Sequence, residues 1–168
     1  EVQELRVLVL GAGGGAGQAI AIQSALAGCR KLMLANRTES KAHEVAGKIR
    51  QLDGGRLLLP EVIPQTPDSL RAALAETDLV VNASKLGMKR ADPELVPADA
   101  LHAGHLVFDS VYSSEGNKLG DAARAAGAAY VDGNVLLLHQ GALSFVHWFG
   151  GDLPLADMRA GLLQAARP

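Results

Sequence analysis

A chain of 168 residues, 48% hydrophobic and 20% charged, has the size and composition of one ordinary globular domain. Its net charge of −2 and the lack of a basic run argue against nucleic acid as a partner, and its apolar runs are far shorter than the ~20 residues of a membrane helix. Its one cysteine, Cys29, can form neither an internal disulfide nor a cysteine-based metal site, so a reducing, cytoplasmic setting is expected.

Strand and helix patterns alternate along the chain. Apolar runs predict strands at residues 6–10, 31–35, 57–63, 78–82, 105–109 and 129–131. Segments between turn residues predict helices at residues 15–27, 39–52, 68–74, 118–126, 134–148 and 155–165. Pro60 interrupts the third strand, which should therefore be short or at a sheet edge. The alternation predicts a single α/β domain over residues 1–168: a doubly wound, Rossmann-type parallel sheet in the order 3-2-1-4-5-6, with helices on both faces and two more at the C-terminus.

A glycine-rich stretch, residues 11–17, separates the first strand from the first helix. It fits G-x-G-x-x-A, with Gly11, Gly13 and Ala16 at the defining positions. Glycines let backbone amides approach an anion, and a helix that starts there directs its positive end to the same place, which predicts a phosphate or pyrophosphate site. A purely structural turn is the alternative. A nucleoside-triphosphate loop is excluded because Gln18 stands where lysine is required.

The segment after the second strand bears on the choice of dinucleotide. Sheets of this type that bind NAD place an acid there for the ribose 2′-hydroxyl, whereas this chain has Asn36, Arg37 and Thr38. Lys41 follows one turn later. These groups can bind a 2′-phosphate, so NADP is the predicted cofactor. The alternative is a set of solvated charges at a helix start, and Glu39 is the one acid nearby.

With these residues placed, the chain resembles the C-terminal, NADP-binding domain of the shikimate and quinate dehydrogenase family. Beyond the glycine loop and the Asn-Arg-Thr segment, the resemblance is carried by Asn82-Ala83-Ser84 with Gly87-Met88, Phe108-Asp109 with Tyr112, and Asp132-Gly133 with His139-Gln140-Gly141-Ala142, Phe145, Trp148 and Gly150. The last stretch is the most specific. Many proteins of this fold share the glycines, but few share this closing helix.

The resemblance implies a role for each matching residue. The glycine loop would hold the pyrophosphate, the Asn-Arg-Thr segment the 2′-phosphate, and backbone after the later strands the ribose and nicotinamide. The implied cofactor-binding residues are Gly11, Ala12, Gly13, Gly14, Gly15, Ala16, Asn36, Arg37, Thr38, Lys41, Asn82, Ala83, Ser84, Ser110, Gly133 and Leu136. The implied substrate-binding residues are Tyr112 and Gln140, whose neutral hydrogen-bonding groups suit a polyhydroxylated ring acid.

The chain also departs from the family pattern. Leu136 stands where the family usually has methionine near the nicotinamide, and Val135 where glycine is common. Lys85 is unusual in its loop. Together with Lys89 and Arg90 it either contacts a cofactor phosphate or belongs to a solvated loop.

Catalytic groups are not expected within these residues. In the family, the acid/base pair of a lysine and an aspartate belongs to an N-terminal domain, which is expected to be absent here, and ketone reduction needs such a proton donor. Lys85 and His139 are the only substitutes, and His139 is expected to be packed or solvent-facing. The histidines lack the spacing of a metal site.

Three functions are consistent with these residues. The first is the cofactor domain of an NADP-dependent oxidoreductase that transfers hydride reversibly between NADPH and 3-dehydroshikimate or a quinate-type substrate, inactive alone and sharing its substrate with the missing domain. The second is a stand-alone, non-catalytic NADP-binding module. The third, another NADP enzyme of the methylene-tetrahydromethanopterin dehydrogenase or glutamyl-tRNA reductase type, is disfavoured by the closing helix. An exposed face is expected on the two C-terminal helices, and a homo-oligomer through it is an open alternative.

Overall fold

The computed structural model describes residues 2–52, 58–112, 116–152 and 154–165. The strands in these ranges are β1 (Arg6–Leu10), β2 (Lys31–Ala35), β3 (Glu61–Ile63), β4 (Leu79–Asn82), β5 (Leu106–Asp109) and β6 (Ala129–Val131). The helices are α1 (Gly15–Leu26), α2 (Glu39–Leu52), α3 (Pro67–Ala75), α4 (Lys118–Ala125), α5 (Gly133–Phe149) and α6 (Leu155–Ala165). Short 3-10 turns occur at Val2–Glu4 and Ala98–Ala100.

The strands form one parallel sheet in the order β3-β2-β1-β4-β5-β6, which confirms the predicted architecture and order. Leu10 at the end of β1 is in register with Ala35 of β2 and with Asn82 of β4. Asn82 is in turn in register with Asp109 of β5. The carboxyl ends of four neighbouring strands therefore lie side by side, and the loops that follow them share one edge of the sheet.

The central strands are buried on both faces. In β1, Val7 and Val9 pack into the apolar layer beneath α1 and α2, whereas Leu8 and Leu10 pack into the layer on the opposite face. All four side chains are inaccessible to solvent. Burial on both faces explains why these strands are continuous apolar runs rather than alternating ones.

Most helix and strand ends coincide with the predictions, several differ by one residue, and the largest difference is at the start of β3. It begins at Glu61 rather than at residue 57, which lies outside the described residues, and Pro60 precedes it because proline cannot donate a hydrogen bond to a neighbouring strand. Helix α3 starts one residue early since Thr66 caps it and Pro67 suits its first turn. Helix α5 includes Gly133 because the Asp132 side chain accepts the hydrogen bond of the Asn134 amide.

Helix α5 carries an exposed apolar surface. It packs against α6, where Gly141 faces Met158, and it also presents Leu143, Phe145, Trp148 and Phe149 to solvent. Trp148 and Phe149 are each 72% exposed. The expected exposed face on the C-terminal helices is thus present, on α5. None of the helices in the described part of the chain has the length and apolar character needed to span a bilayer.

Candidate functional site

The turn after β1 requires glycine at its first position. Gly11 has φ +78°, and a Cβ there would lie 2.7 Å from the Ser84 backbone nitrogen. The amides of Gly11 and Ala12 both donate to the Ala35 carbonyl, at 2.9 and 3.2 Å, and so tie the turn to the end of β2. The glycine loop is therefore held closely between the loops that follow β2 and β4.

The first turn of α1 opens onto free space. Gly14 precedes the helix and offers no side-chain cap. The amides of Gly15 and Ala16 have no hydrogen-bond acceptor among the described residues, and a Cβ at Gly15 would meet no described atom within 4 Å. Two unpaired donors and the positive end of a 12-residue helix thus face the same open region, an arrangement that suits an anion.

A groove of about 1410 Å³ lies in front of this helix end. It runs over the carboxyl ends of β1 to β4 and is wide enough for an extended ligand. Of the sequence-predicted residues, its lining includes Gly11, Gly13, Gly14, Gly15, Ala16, Asn36, Arg37, Thr38, Lys41, Ala83 and Ser84. The structure therefore brings the glycine loop and the Asn-Arg-Thr segment into one groove.

The cations of the groove differ in whether an acid neutralises them. Arg37 and Lys41 are exposed and form no ion pair with any described residue. Glu39, the nearby acid, is directed to His43, with 3.3 Å between Oε1 and Nε2. Arg71, at the far end of the groove, is paired with Asp99 at 2.7 Å. An excess of positive charge therefore remains beside the start of α2.

Asn36 uses its side chain within the protein. Its Oδ1 accepts a hydrogen bond from the Gly13 amide at 3.1 Å, and its Nδ2 donates to the Thr38 carbonyl at 2.8 Å. Both ends of the amide are thus engaged, whereas the Arg37 and Lys41 side chains next to it are free of ion pairs with described residues. The pattern of residue types could not reveal this difference.

A buried carboxylate organises the loops after β4 and β5. Asp109 is inaccessible to solvent and accepts hydrogen bonds from the side chains of Asn82 (2.9 Å), Asn117 (2.9 Å) and Tyr130 (3.2 Å), and from the Val111 amide (3.0 Å). Burial raises the pKa of the Asp109 carboxyl above its usual range, although these hydrogen bonds act in the opposite direction. Burial, with the Asp109 charge next, raises the pKa of Tyr130 to about 12.

This network extends to the groove through Asn82. Its Oδ1 accepts hydrogen bonds from the Ser84 amide (2.9 Å) and hydroxyl (2.7 Å), and the Ser84 hydroxyl accepts one from Leu86 (3.1 Å). Asn82 and Ala12 are themselves fully buried, so they support the loops from behind the groove surface. Sequence reasoning missed Asn117 and Tyr130, for which the only signal was a strand-end aspartate followed by a helix-capping asparagine.

The remaining predicted residues lie beyond the groove, past β5 and β6. Gly133 packs against the backbone after β5: a Cβ there would lie 2.5 Å from the Ser110 carbonyl oxygen. Leu136 is half-buried and Gln140 is exposed one turn later on α5, while Tyr112 is 56% exposed. None of these residues lines the groove.

The basic loop after β4 divides into two parts. Lys85 is exposed and lines the groove. Arg90 instead pairs with Asp121 of α4, and the Lys89 amide donates to Asp92 at 3.1 Å. His139 is exposed on α5. Within the residues that the structure describes, no group of three His, Cys, Asp or Glu side chains is arranged to hold a metal ion.

Comparison with known proteins gives the family. Residues 1–91 match the model of the shikimate / quinate 5-dehydrogenase family. The chain is 38% identical over 161 residues to the shikimate dehydrogenase (NADP(+)) of Moorella thermoacetica, covering 95% of this chain and 53% of that protein. It is 41% identical over 155 residues to the protein of the same name from Haloarcula marismortui, covering 92% and 54%.

A solved structure gives the same relationship in three dimensions. Shikimate 5-dehydrogenase from Listeria monocytogenes, in complex with shikimate and NAD, superimposes with a TM-score of 0.83 at 28% identity, over 96% of this chain and 57% of that one. The chain spans about half the length of the curated relatives it matches. On the family match and the fold, this chain belongs to the shikimate/quinate dehydrogenase family.

Proposed function

We propose that this chain is the NADP-binding domain of a shikimate- or quinate-type dehydrogenase. The observation that carries the proposal is one groove holding the two unpaired amides of Gly15 and Ala16 together with the uncompensated cations of Arg37 and Lys41. The first pair suits a pyrophosphate, which both dinucleotides share. The second pair suits the 2′-phosphate, which NADP alone carries.

The residues present fit this cofactor. A side-chain-free helix start lets the pyrophosphate approach closely, and the Arg37 guanidinium can form two parallel hydrogen bonds to phosphate oxygens. The two curated relatives are named for NADP(+), whereas the Listeria monocytogenes structure holds NAD. The preference for NADP therefore rests on the residues of this chain at the start of α2.

The chain's own residues would place the cofactor for reaction. When bound, the nicotinamide supplies or accepts a hydride. Ser84, whose hydroxyl is held by Asn82, and the close contact of Ser110 with Gly133 would shape the path toward the ring, with Leu136 beside it. The exposed Tyr112 and Gln140 would hydrogen-bond a hydroxylated ring acid without introducing a charge.

We expect the proton donor and most of the substrate contacts to come from a part of the protein outside residues 1–168. The chain spans about half the length of the curated relatives it matches, so those relatives carry a further portion that could supply these groups. We therefore propose that residues 1–168 form one cofactor domain, and that the acid/base pair and most substrate contacts lie in the portion that the relatives have in addition.

The test is a chimera in which this chain is joined to the portion of the Moorella thermoacetica relative that it does not cover. The chimera should oxidise shikimate or quinate with NADP, and the chain alone should bind NADP without measurable turnover. Turnover by the isolated chain would show that it holds its own proton donor. A chimera that folds and binds both NADP and shikimate yet stays inactive would favour the non-catalytic binding module instead.

A further inference from the structure

Three side chains contact the Gly13 peptide: Asn36 after β2, Lys41 of α2, and Gln18 of α1, which is hydrogen-bonded to α2. Its N–H donates to Asn36 Oδ1 at 3.1 Å, and its carbonyl accepts from Gln18 Nε2 at 3.3 Å. Its Cα faces the stem of Lys41, since a Cβ on Gly13 would lie 2.5 Å from Lys41 Cβ. We call Asn36, Gln18 and Lys41 the Gly13 clamp.

The members of the clamp are themselves held in place. Asn36 Nδ2 donates to the Thr38 carbonyl at 2.8 Å, which orients its amide so that Oδ1 faces Gly13. Gln18 Oε1 accepts a hydrogen bond from Lys48 of α2 at 2.9 Å. Two side-chain amides therefore orient the loop after β1, and each has a second partner: Thr38 before α2 for Asn36, and Lys48 of α2 for Gln18.

We propose that Asn36 is a positioning residue for the pyrophosphate loop and not a ligand of the 2′-phosphate. This inference rests on the proposed NADP site. Because Asn36 occupies the Gly13 amide, the unpaired amides that line the groove are those of Gly15 and Ala16 among the described residues, and the clamp sets the loop before the ligand arrives. Preorganisation of this kind raises affinity by lowering the cost of ordering the site.

The two possible roles of Asn36 predict different losses of dinucleotide affinity when it is mutated. A ligand of the 2′-phosphate would matter for NADP and not for NAD, as is expected of Arg37. A residue that sets the pyrophosphate loop matters equally for both dinucleotides, because both carry the pyrophosphate. The ratio of the two affinities therefore separates the roles, even where each affinity falls.

The experiment measures NADP and NAD binding by calorimetry for the parent chain, Asn36→Ala and Asn36→Asp, with Gln51→Ala as the matched control. Gln51 is an exposed side-chain amide near the end of α2, outside the groove. Asn36→Ala loses one loop hydrogen bond, so it should bind NADP and NAD about fivefold more weakly, and the ratio of the two affinities should not change. Asn36→Asp keeps an acceptor for Gly13 but cannot donate to the Thr38 carbonyl and adds a negative charge, so it should recover NAD binding only in part and lose NADP. Gln51→Ala should leave the binding of both dinucleotides unchanged.

Amide hydrogen exchange on the ligand-free parent chain tests the clamp without any cofactor. The Gly13 amide should exchange more slowly than those of Gly15 and Ala16, and Asn36→Ala should remove that protection while Gln51→Ala keeps it. Equal exchange rates at the three amides in the parent chain would overturn the clamp. A loss of affinity in Asn36→Ala that is confined to NADP would overturn it as well. A parent chain that binds neither dinucleotide would instead refute the proposed NADP site, and the exchange result would still decide whether the clamp exists.

Discussion

The side-chain amide of Asn82 donates to the carboxylate of Asp109 at 2.9 Å, joining the ends of β4 and β5 beneath the loops that border the groove. Asp109 is fully buried, and no described cation pairs with it. It is stabilised by neutral donors alone, so its removal leaves several buried polar groups without a partner.

Replacement of Asp109 by alanine should therefore be costly. Asn82 and Asn117 would each lose a buried acceptor, which predicts a loss of about 3 kcal/mol in the free energy of unfolding. Urea denaturation measures the change. The control is Asp68→Asn in the exposed first turn of α3, which should change stability by less than about 0.5 kcal/mol. Equal effects of the two substitutions would show that the network contributes nothing particular to stability.

The two glycines at the ends of the loop should respond oppositely to alanine. Gly11→Ala places a Cβ 2.7 Å from the Ser84 nitrogen at φ +78° and should cost about 2 kcal/mol or more of stability. Gly15→Ala has open space in front of it and lies in a helix, so stability should hold or rise by about 1 kcal/mol. Its methyl group would, however, stand where we place the pyrophosphate, and NADP binding should weaken. Thermal denaturation and calorimetry on both variants give the comparison; a stable Gly15→Ala chain with undiminished NADP affinity would contradict the placement.

The Arg6–Asp78 pair should make stability depend on pH in the acid range. The Arg6 side chain holds the Asp78 carboxylate through hydrogen bonds of 2.6 and 3.0 Å and lowers the pKa of Asp78 from 3.8 to about 2. A lowered carboxyl pKa contributes stability above pH 3.8 that is lost as the pH falls toward 2. Asp78→Asn should be less stable than the parent by roughly 1 kcal/mol at pH 6, and the gap should close between pH 4 and 2. A gap independent of pH would rule out this linkage.

His105 should stay neutral in the folded chain. Its Nδ1 accepts a hydrogen bond from the His102 amide at 3.2 Å, so the proton resides on Nε2, which donates to the Leu74 carbonyl at 3.0 Å. Burial lowers the pKa of His105 below 6.5. A histidine whose pKa is lowered on folding contributes stability that is present above pH 6.5 and is lost as the pH falls below it. NMR titration should show the Nε2–H tautomer and a midpoint below 6.5; a midpoint at or above that value would disprove the assignment.

The sequence predicts the fold here better than it predicts the roles of polar side chains. The alternation of apolar strands and helices, with the glycine turn, suffices to predict a doubly wound parallel sheet, and the strand order is the usual one for that fold type. Strand β3 is less well predicted since Pro60 and the edge position shorten it. Asn36 matches a phosphate-binding segment by type, yet its partners are Gly13 and Thr38. Asn117 and Tyr130 reach Asp109 from 8 and 21 residues away, a contact that only the folded chain reveals.

The choice of NADP is tested most directly by calorimetry of NADP and NAD binding to the parent chain, to Arg37→Ala and to Arg50→Ala. Arg50 is an exposed arginine in the last turn of α2, the helix that follows Arg37, and it lies outside the groove. The parent should bind NADP at least about tenfold more tightly than NAD, and Arg37→Ala should remove most of that advantage while NAD binding and the Arg50→Ala variant stay unchanged. Equal affinity of the parent chain for NADP and NAD would contradict the account.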